Sequence, residues 1–220
     1  MPGEGTGFIH GRPDFSDAGG TVLELVMVLA LFGTLTALAL ALVLQSYKGV
    51  QLRTSTSTLF DSGTTALNQM TKELRMAGYP SAKLFTSSAV ASSPGLVATP
   101  FVRVTPYEVA FQADINQNGT VEQIEYLLAP GSENLYRMST LKRLNGRLAP
   151  HTVTTLLLNN VQNQIRRKPL FAWNTNPLDT QSFPLNVQTI YINLVLQSSG
   201  NESGSHASLT LTATCPRMNF

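Results

Sequence analysis

The stretch AGGTVLELVMVLALFGTLTALALALVLQ, Ala18 to Gln45, constrains this chain more than any other part of it. From Leu25 to Leu44 no residue carries a charge. As a helix rising about 1.5 Å per residue, that run spans roughly 30 Å, the thickness of bilayer hydrocarbon. It is longer than the roughly 7–15-residue apolar core of a secretory signal, and no small-x-small cleavage pattern follows it. One residue disagrees with a plain anchor. Glu24 stands at the entry of the run. An acid deep in a membrane helix costs about 2.5–3.5 kcal/mol or more, and less near the interface.

The 220 residues leave room for one domain of about 150 residues beside an appended helix. Charged residues make up 13%, about half the usual share, and Ser, Thr, Asn and Gln fill the gap, which suits an exported surface. A net charge of +2 is too small to argue for nucleic acid or an acidic partner. The single cysteine, Cys215, excludes an intrachain disulfide and reads as a buried thiol or a passive surface residue. His10, His151 and His206 are scattered, with no cysteine or carboxylate at ligand spacing. Gly131-Ser132 is a turn rather than a nucleophile elbow, and there is no glycine-rich phosphate loop. Arg166-Arg167-Lys168 reads as a solvated face, with anionic-lipid or DNA contact as the sharper alternative. Phe171, Trp173 and Tyr79 read as core or rim. None of these residues forms a recognisable catalytic or cofactor motif; the resemblance described below implies a structural protein rather than an enzyme, with no cofactor.

Helical periodicity continues past Gln45. Leu52, Thr56, Phe60, Gly63, Leu67, Met70, Leu74 and Ala77 mark one face, and Lys72, Glu73 and Arg75 lie off it. Gly78 is the expected C-cap, with Pro80 beyond it. Arg53 to Thr65 is rich in β-branched and small polar residues, which predicts a bend or weak helix.

Ser81 to Thr99 reads as a loop. Alternation then predicts strands at Tyr107–Ala113, Gln123–Leu128, Glu133–Ser139, Asn186–Gln197 and Ala207–Cys215, the last two as a final hairpin. Val153 to Arg167 is ambiguous, because its Leu156-Leu157-Leu158 run fits a strand or a buried helical turn. Asn118-Gly119 signals a tight hairpin, since both residues tolerate positive φ. The expected fold class is α+β, one long helix packed on a single meandering antiparallel sheet. Asp114-x-Asn116-x-Asn118-Gly119-x5-Glu125 formally fits a calcium-loop pattern. Its flanks read as strands, so a polar hairpin turn is the favoured reading. A noncanonical calcium site on Asp114, Asn116, Asn118 and Glu125, with Glu122 as a further oxygen donor, is the alternative.

Gly19-Gly20-Thr21-Val22-Leu23-Glu24-Leu25 resembles the processing site of type IV prepilins and pseudopilins. The resemblance implies a peptidase cut after Gly19, leaving Gly20 as the first mature residue and Glu24 as the fifth. It also implies that Glu24 pairs with the N-terminal ammonium of a neighbouring subunit, since a buried charge is tolerable only when paired. Gly33 matches a glycine common in these helices. The sequence departs from the family at Gly20, usually Phe or Met, and at Ala41, where a proline is common. Arg12 stands against Glu4, Asp14 and Asp17 in a long leader, so the positive-inside rule gives no orientation. Leu74, Arg75, Ala77, Gly78 and Tyr79 resemble the helix end of PilW-type minor pilins, as do the Ala113–Leu128 hairpin and the tail CPRMNF.

The resemblance implies a pilin-like layout: leader 1–19, transmembrane and filament-core helix 20–45, amphipathic half of the same helix 46–79, and a β-rich head 80–220. The implied protein is a single-pass inner-membrane precursor with a periplasmic head, later part of a pilus or the cell surface. Its implied partners are prepilin peptidase and other pilins, through the N-terminal helix, with no direct nucleic-acid contact. It would prime assembly of a type IV pilus, or enter one, in the service of adhesion, twitching motility or DNA uptake. The alternatives are a type II secretion pseudopilin and, from another class, a single-pass anchored periplasmic binding or enzymatic domain.

Overall fold

Helix α1 runs from Ser16 to Arg75 without interruption in the computed structural model, which describes residues 16–176, 181–198 and 208–217. The chain divides into two compact units, Met1–Gln51 and Leu52–Phe220. The first consists, where described, of the apolar part of α1. Arg53 to Thr65, where a bend or weak helix was expected, is helical throughout. The hydroxyls there bond back to carbonyls one turn earlier: Thr58 to Thr54 at 3.0 Å, Ser62 to Thr58 at 2.8 Å and Thr65 to Asp61 at 2.8 Å. Such bonds satisfy the side chain without leaving the helix.

In the second unit, α1 buries Leu59, Gly63, Ala66, Met70, Glu73 and Leu74, and Ala77 in the turn that follows it is buried too. This stripe is displaced from the expected one. Thr56 and Phe60 are exposed, Leu67 is half-buried, and Glu73, expected off the face, is 5% exposed. Small residues set the contact line because the sheet comes very close. A Cβ on Gly63 would stand 2.6 Å from Leu196 Cδ1 and 2.8 Å from Leu211 Cδ1. Gly78 takes φ +88°, the left-handed conformation that glycine tolerates best, and donates its N–H to Gln112 O at 2.8 Å as the chain leaves the helix.

The segment expected to be a loop contains three short helical pieces: a 3-10 turn at Ala82–Leu84, helix α2 at Ser87–Ser92 and a second 3-10 turn at Pro94–Leu96. Thr86 Oγ1 caps α2 by accepting the Ala89 N–H at 3.3 Å.

Strands β1 (Arg103–Thr105), β2 (Glu108–Ala113), β3 (Glu122–Leu128), β4 (Leu135–Lys142) and β5 (Leu148–Leu158) form an antiparallel sheet in chain order. Ile124, Tyr126 and Leu128 are buried, as their alternation implies, and Leu156-Leu157-Leu158 belongs to β5. In β2 both faces are covered, so Ala110 and Gln112 are buried along with Val109, Phe111 and Ala113.

The single expected sheet is in fact two. Strands β6 (Phe171–Thr175), β7 (Val187–Gln197) and β8 (Ser208–Pro216) form a separate three-stranded antiparallel sheet. Between β5 and β6 the chain turns on Asn163, which is fully buried. Its amide nitrogen donates to Asn193 O at 2.6 Å, and its Oδ1 accepts the Val195 N–H at 2.9 Å. Val161 forms an isolated bridge to Leu196. One hydrophobic cluster joins the α1 stripe to Phe111, Tyr126 and Leu135 of the larger sheet and to Phe171, Ile190 and Leu196 of the smaller.

Two glycine substitutions test this packing. A Cβ on Gly95 would stand 2.0 Å from the Arg143 carbonyl oxygen, a backbone atom, whereas at Gly63 it meets the ends of leucine side chains. Gly95→Ala should cost about 3 kcal/mol or more, and Gly63→Ala nearer 1 kcal/mol, because leucine tips can rotate away. Thermal unfolding followed by circular dichroism checks both; an equal cost would contradict the contacts.

Candidate functional site

Every described residue from Thr21 to Tyr47 is exposed. These 27 residues have a mean hydropathy of 2.5 and form one helix long and apolar enough to cross a membrane. Phe32 is 69% and Val22 62% exposed, so this apolar surface has no cover among the described residues. The hydroxyls inside it are already satisfied. Thr34 donates to Leu31 O at 2.8 Å and Thr36 to Phe32 O at 2.7 Å. Gly33 leaves open space, with nothing within 4 Å of a built Cβ.

Gly19 and Gly20 lie inside the helix assignment, which begins at Ser16, and Glu24 follows one turn later. Among the described residues Glu24 makes no ion pair. Residues 1–15, most of the expected leader 1–19, lie outside the described residues, and with them His10; so do His206, most of the loop between β7 and β8, and the last three residues of the chain.

The second polar feature of α1 was not expected from the sequence. Glu73 is held by three donors. Tyr126 Oη donates to its Oε2 at 2.6 Å, Arg137 Nε to Oε2 at 2.9 Å and Oε1 at 3.1 Å, and Gln69 Nε2 to Oε1 at 3.1 Å. Burial, and then the Glu73 carboxylate, push the Tyr126 phenol far up, so it remains a donor. Burial alone would lower the Arg137 pKa, but bonding to Glu73 outweighs it and the net shift is upward. The three groups occupy one another's hydrogen-bonding capacity and tie α1 to β3 and β4. The spacing is compatible with this, since Glu73 stands seven residues after Ala66, three after Met70 and four before Ala77, but spacing alone does not turn an acid inward.

The calcium-loop candidates are not brought together. Asp114 is 4% exposed, and its two oxygens accept the Asn118 N–H at 3.1 Å and the Gly119 N–H at 2.8 Å. Asn118 Oδ1 accepts the Thr120 N–H at 2.9 Å, and Asn116 is exposed. Positive φ falls on Gln117 (54°) and Gly119 (81°), not on Asn118, so the tight Asn-Gly turn is replaced by a longer loop folded around Asp114. Glu122 pairs across from Ala113 and bonds Ser139. Glu125 pairs across from Ala110, four residues back along β2 from Asp114, or about 13 Å at roughly 3.3 Å per residue. Among the described residues no group of three or more His, Cys, Asp and Glu could hold a metal.

Arg166, Arg167 and Lys168 are exposed on the turn built around Asn163, and His151 is exposed on β5. Phe171 is buried; Trp173 is half-buried and packs on Phe183 at 5.7 Å between ring centroids. Tyr79 is half-buried. Cys215 is a free, buried thiol whose pKa burial raises. No family model, curated protein or solved structure matches the chain.

Two predictions follow from these electrostatics. Glu73→Ala leaves the half-buried Arg137 and the buried Tyr126 hydroxyl without their acceptor and should destabilise the head by about 3 kcal/mol, whereas Tyr126→Phe should cost about 1.5–3 kcal/mol. Denaturant midpoints with unchanged slopes measure both. Glu125 behaves in the opposite sense. Burial first, and then the Glu108 charge, raise its pKa above 4.5, with Arg103 partly opposing. Its ionisation therefore works against folding. Glu125→Gln should raise Tm at neutral pH, and the gain should vanish as pH falls to the unfolded value and below. A gain that persisted at acid pH would contradict this assignment.

Proposed function

We propose that the chain is the precursor of a minor pilin of the PilW type, a structural subunit that primes or enters a type IV pilus after cleavage by prepilin peptidase. The observation that carries this reading is Glu24, one turn into a fully exposed apolar helix and fifth after the Gly19–Gly20 bond. In a mature helix that begins at Gly20, Glu24 would lie in the first turn and gain under about 1 kcal/mol from the helix dipole, too little to explain an acid against lipid. Pairing with the terminal ammonium of a neighbour in low dielectric offsets the desolvation of both groups. The α+β head with antiparallel sheets is compatible with a pilin-like layout. On this reading the apolar half of α1 anchors the subunit in the inner membrane and later packs against other pilins.

Processing is the direct test. N-terminal sequencing of membrane-extracted protein from cells with active prepilin peptidase should begin at Gly20; an intact Met1 would contradict the proposal and favour an ordinary anchored domain. Assembly is the second test. Glu24→Ala should leave the protein in the membrane with a normal head but deplete it from sheared pili, and Glu24→Asp should rescue only partly because its shorter side chain misplaces the charge. Equal incorporation of Glu24→Ala and wild type would remove the assembly role.

A further inference from the structure

The basic turn between β5 and β6 has no part in the proposed function, yet it is firmly built. The Arg166 N–H donates to Gln162 O at 2.9 Å, the Arg167 N–H to Gln164 O at 3.0 Å and the Lys168 N–H to Asn163 O at 2.8 Å. Arg167 takes φ +52°, uncommon for a residue with a side chain, so these bonds hold the turn in one shape. Asn163 before it and Leu170 after it are fully buried. Between them Ile165, Arg166, Arg167, Lys168 and Pro169 are all exposed, Ile165 at 64%. No carboxylate answers the three cations. Among the described residues none of them is in an ion pair, and Arg166 Nη2 donates to the neutral Gln197 Oε1 at 3.1 Å. Glu133, whose carbonyl accepts the Val161 N–H, forms no ion pair with them either.

The place of the turn in the head limits what it can meet. β7 runs against α1. Cys215, opposite Ile190 in the register, bonds Thr71, whereas Leu196 stands against Gly63. The Gln197 end of β7 therefore points to the side of this unit at which α1 enters, and Arg166 reaches that end. Residues 48–51 alone separate Tyr47, the last residue of the apolar span, from Leu52, where the unit begins. A span that crosses a membrane thus tethers the head beside lipid. The composition of the turn suits that surface. Cations meet lipid phosphates, and an exposed aliphatic beside them reaches the acyl boundary. Duplex nucleic acid would engage the cations through its phosphates and leave Ile165 without a partner.

We propose that the Ile165–Lys168 turn docks the head on the anionic lipid headgroups of the membrane that holds α1. The inference rests on membrane anchorage, which the pilin reading shares with an ordinary anchored domain, and not on processing or assembly. The test uses the full chain with Cys215→Ala and Ile165→Cys, an environment-sensitive fluorophore on the new thiol, in vesicles of phosphatidylcholine with or without phosphatidylglycerol. Flotation with both vesicles reports the anchor separately; a chain that floats with neither overturns the docking together with its premise. Each basic residue at an anionic surface contributes about fivefold, so phosphatidylglycerol should raise the ratio of docked to free heads by about a hundredfold. The probe should shift to the blue, and about 0.5 M salt should reverse the shift. The same probe on Leu144→Cys, 64% exposed between β4 and β5, should not respond. Arg166→Gln, Arg167→Gln and Lys168→Gln together should abolish the shift with an unchanged circular dichroism spectrum; should that variant unfold, the lipid and salt dependence of the unaltered turn decides. An equal shift in both vesicles, an equal shift at Leu144→Cys, or a folded glutamine variant that responds like its parent overturns the proposal. A probe that responds to duplex DNA and not to phosphatidylglycerol also overturns it and assigns the turn to nucleic acid.

Discussion

The burial of the Glu73 carboxylate is the constraint on which the head is organised. A charge on a helix face turned into a core is stable only if donors reach it, and here they come from the helix itself and from two strands of the larger sheet. Tyr126 and Arg137 are opposite one another in the β3–β4 register, so a single ladder presents both donors to one carboxylate. That geometry fixes the rotation of the helix over the sheet. Leu59, Gly63, Ala66, Met70 and Ala77 fall on the buried stripe as a consequence, and Phe60 is left outside it.

Contact with the smaller sheet follows a different rule. Gly63 and Ala66 leave room for Leu194, Leu196 and Leu211 to approach the helix, so bulk comes from the strands and smallness from the helix. The apolar half of the same helix shows neither device. Its described large side chains are exposed, and Thr34 and Thr36 bond back to their own helix backbone.

Buried polar side chains shape the connections as well. Asp114 holds the β2–β3 loop through two backbone N–H groups, and Asn163 turns the chain from one sheet into the other. Both cases show how a residue with ligand chemistry is used up internally. The oxygens of Asp114 that resemble metal donors in sequence are occupied by the loop they fold. The exposed basic turn at Arg166–Lys168 projects from the scaffold that Asn163 builds.

The sequence by itself determined the apolar span, the C-terminal glycine of the long helix, the inward set of β3 and the final hairpin. Each is written in local periodicity or in a residue of special conformational range, which needs no knowledge of distant partners. Only the tertiary structure decided that there are two sheets, that β6 exists, and that Glu73 faces inward. Short strands such as Phe171–Thr175 leave too little alternation to be read. A glutamate on a helix is ordinarily assigned to solvent, and what reverses that assignment is a tyrosine and an arginine more than fifty residues away in the chain. The break between the sheets likewise depends on Asn163 finding Asn193 and Val195, a pairing that no local window contains.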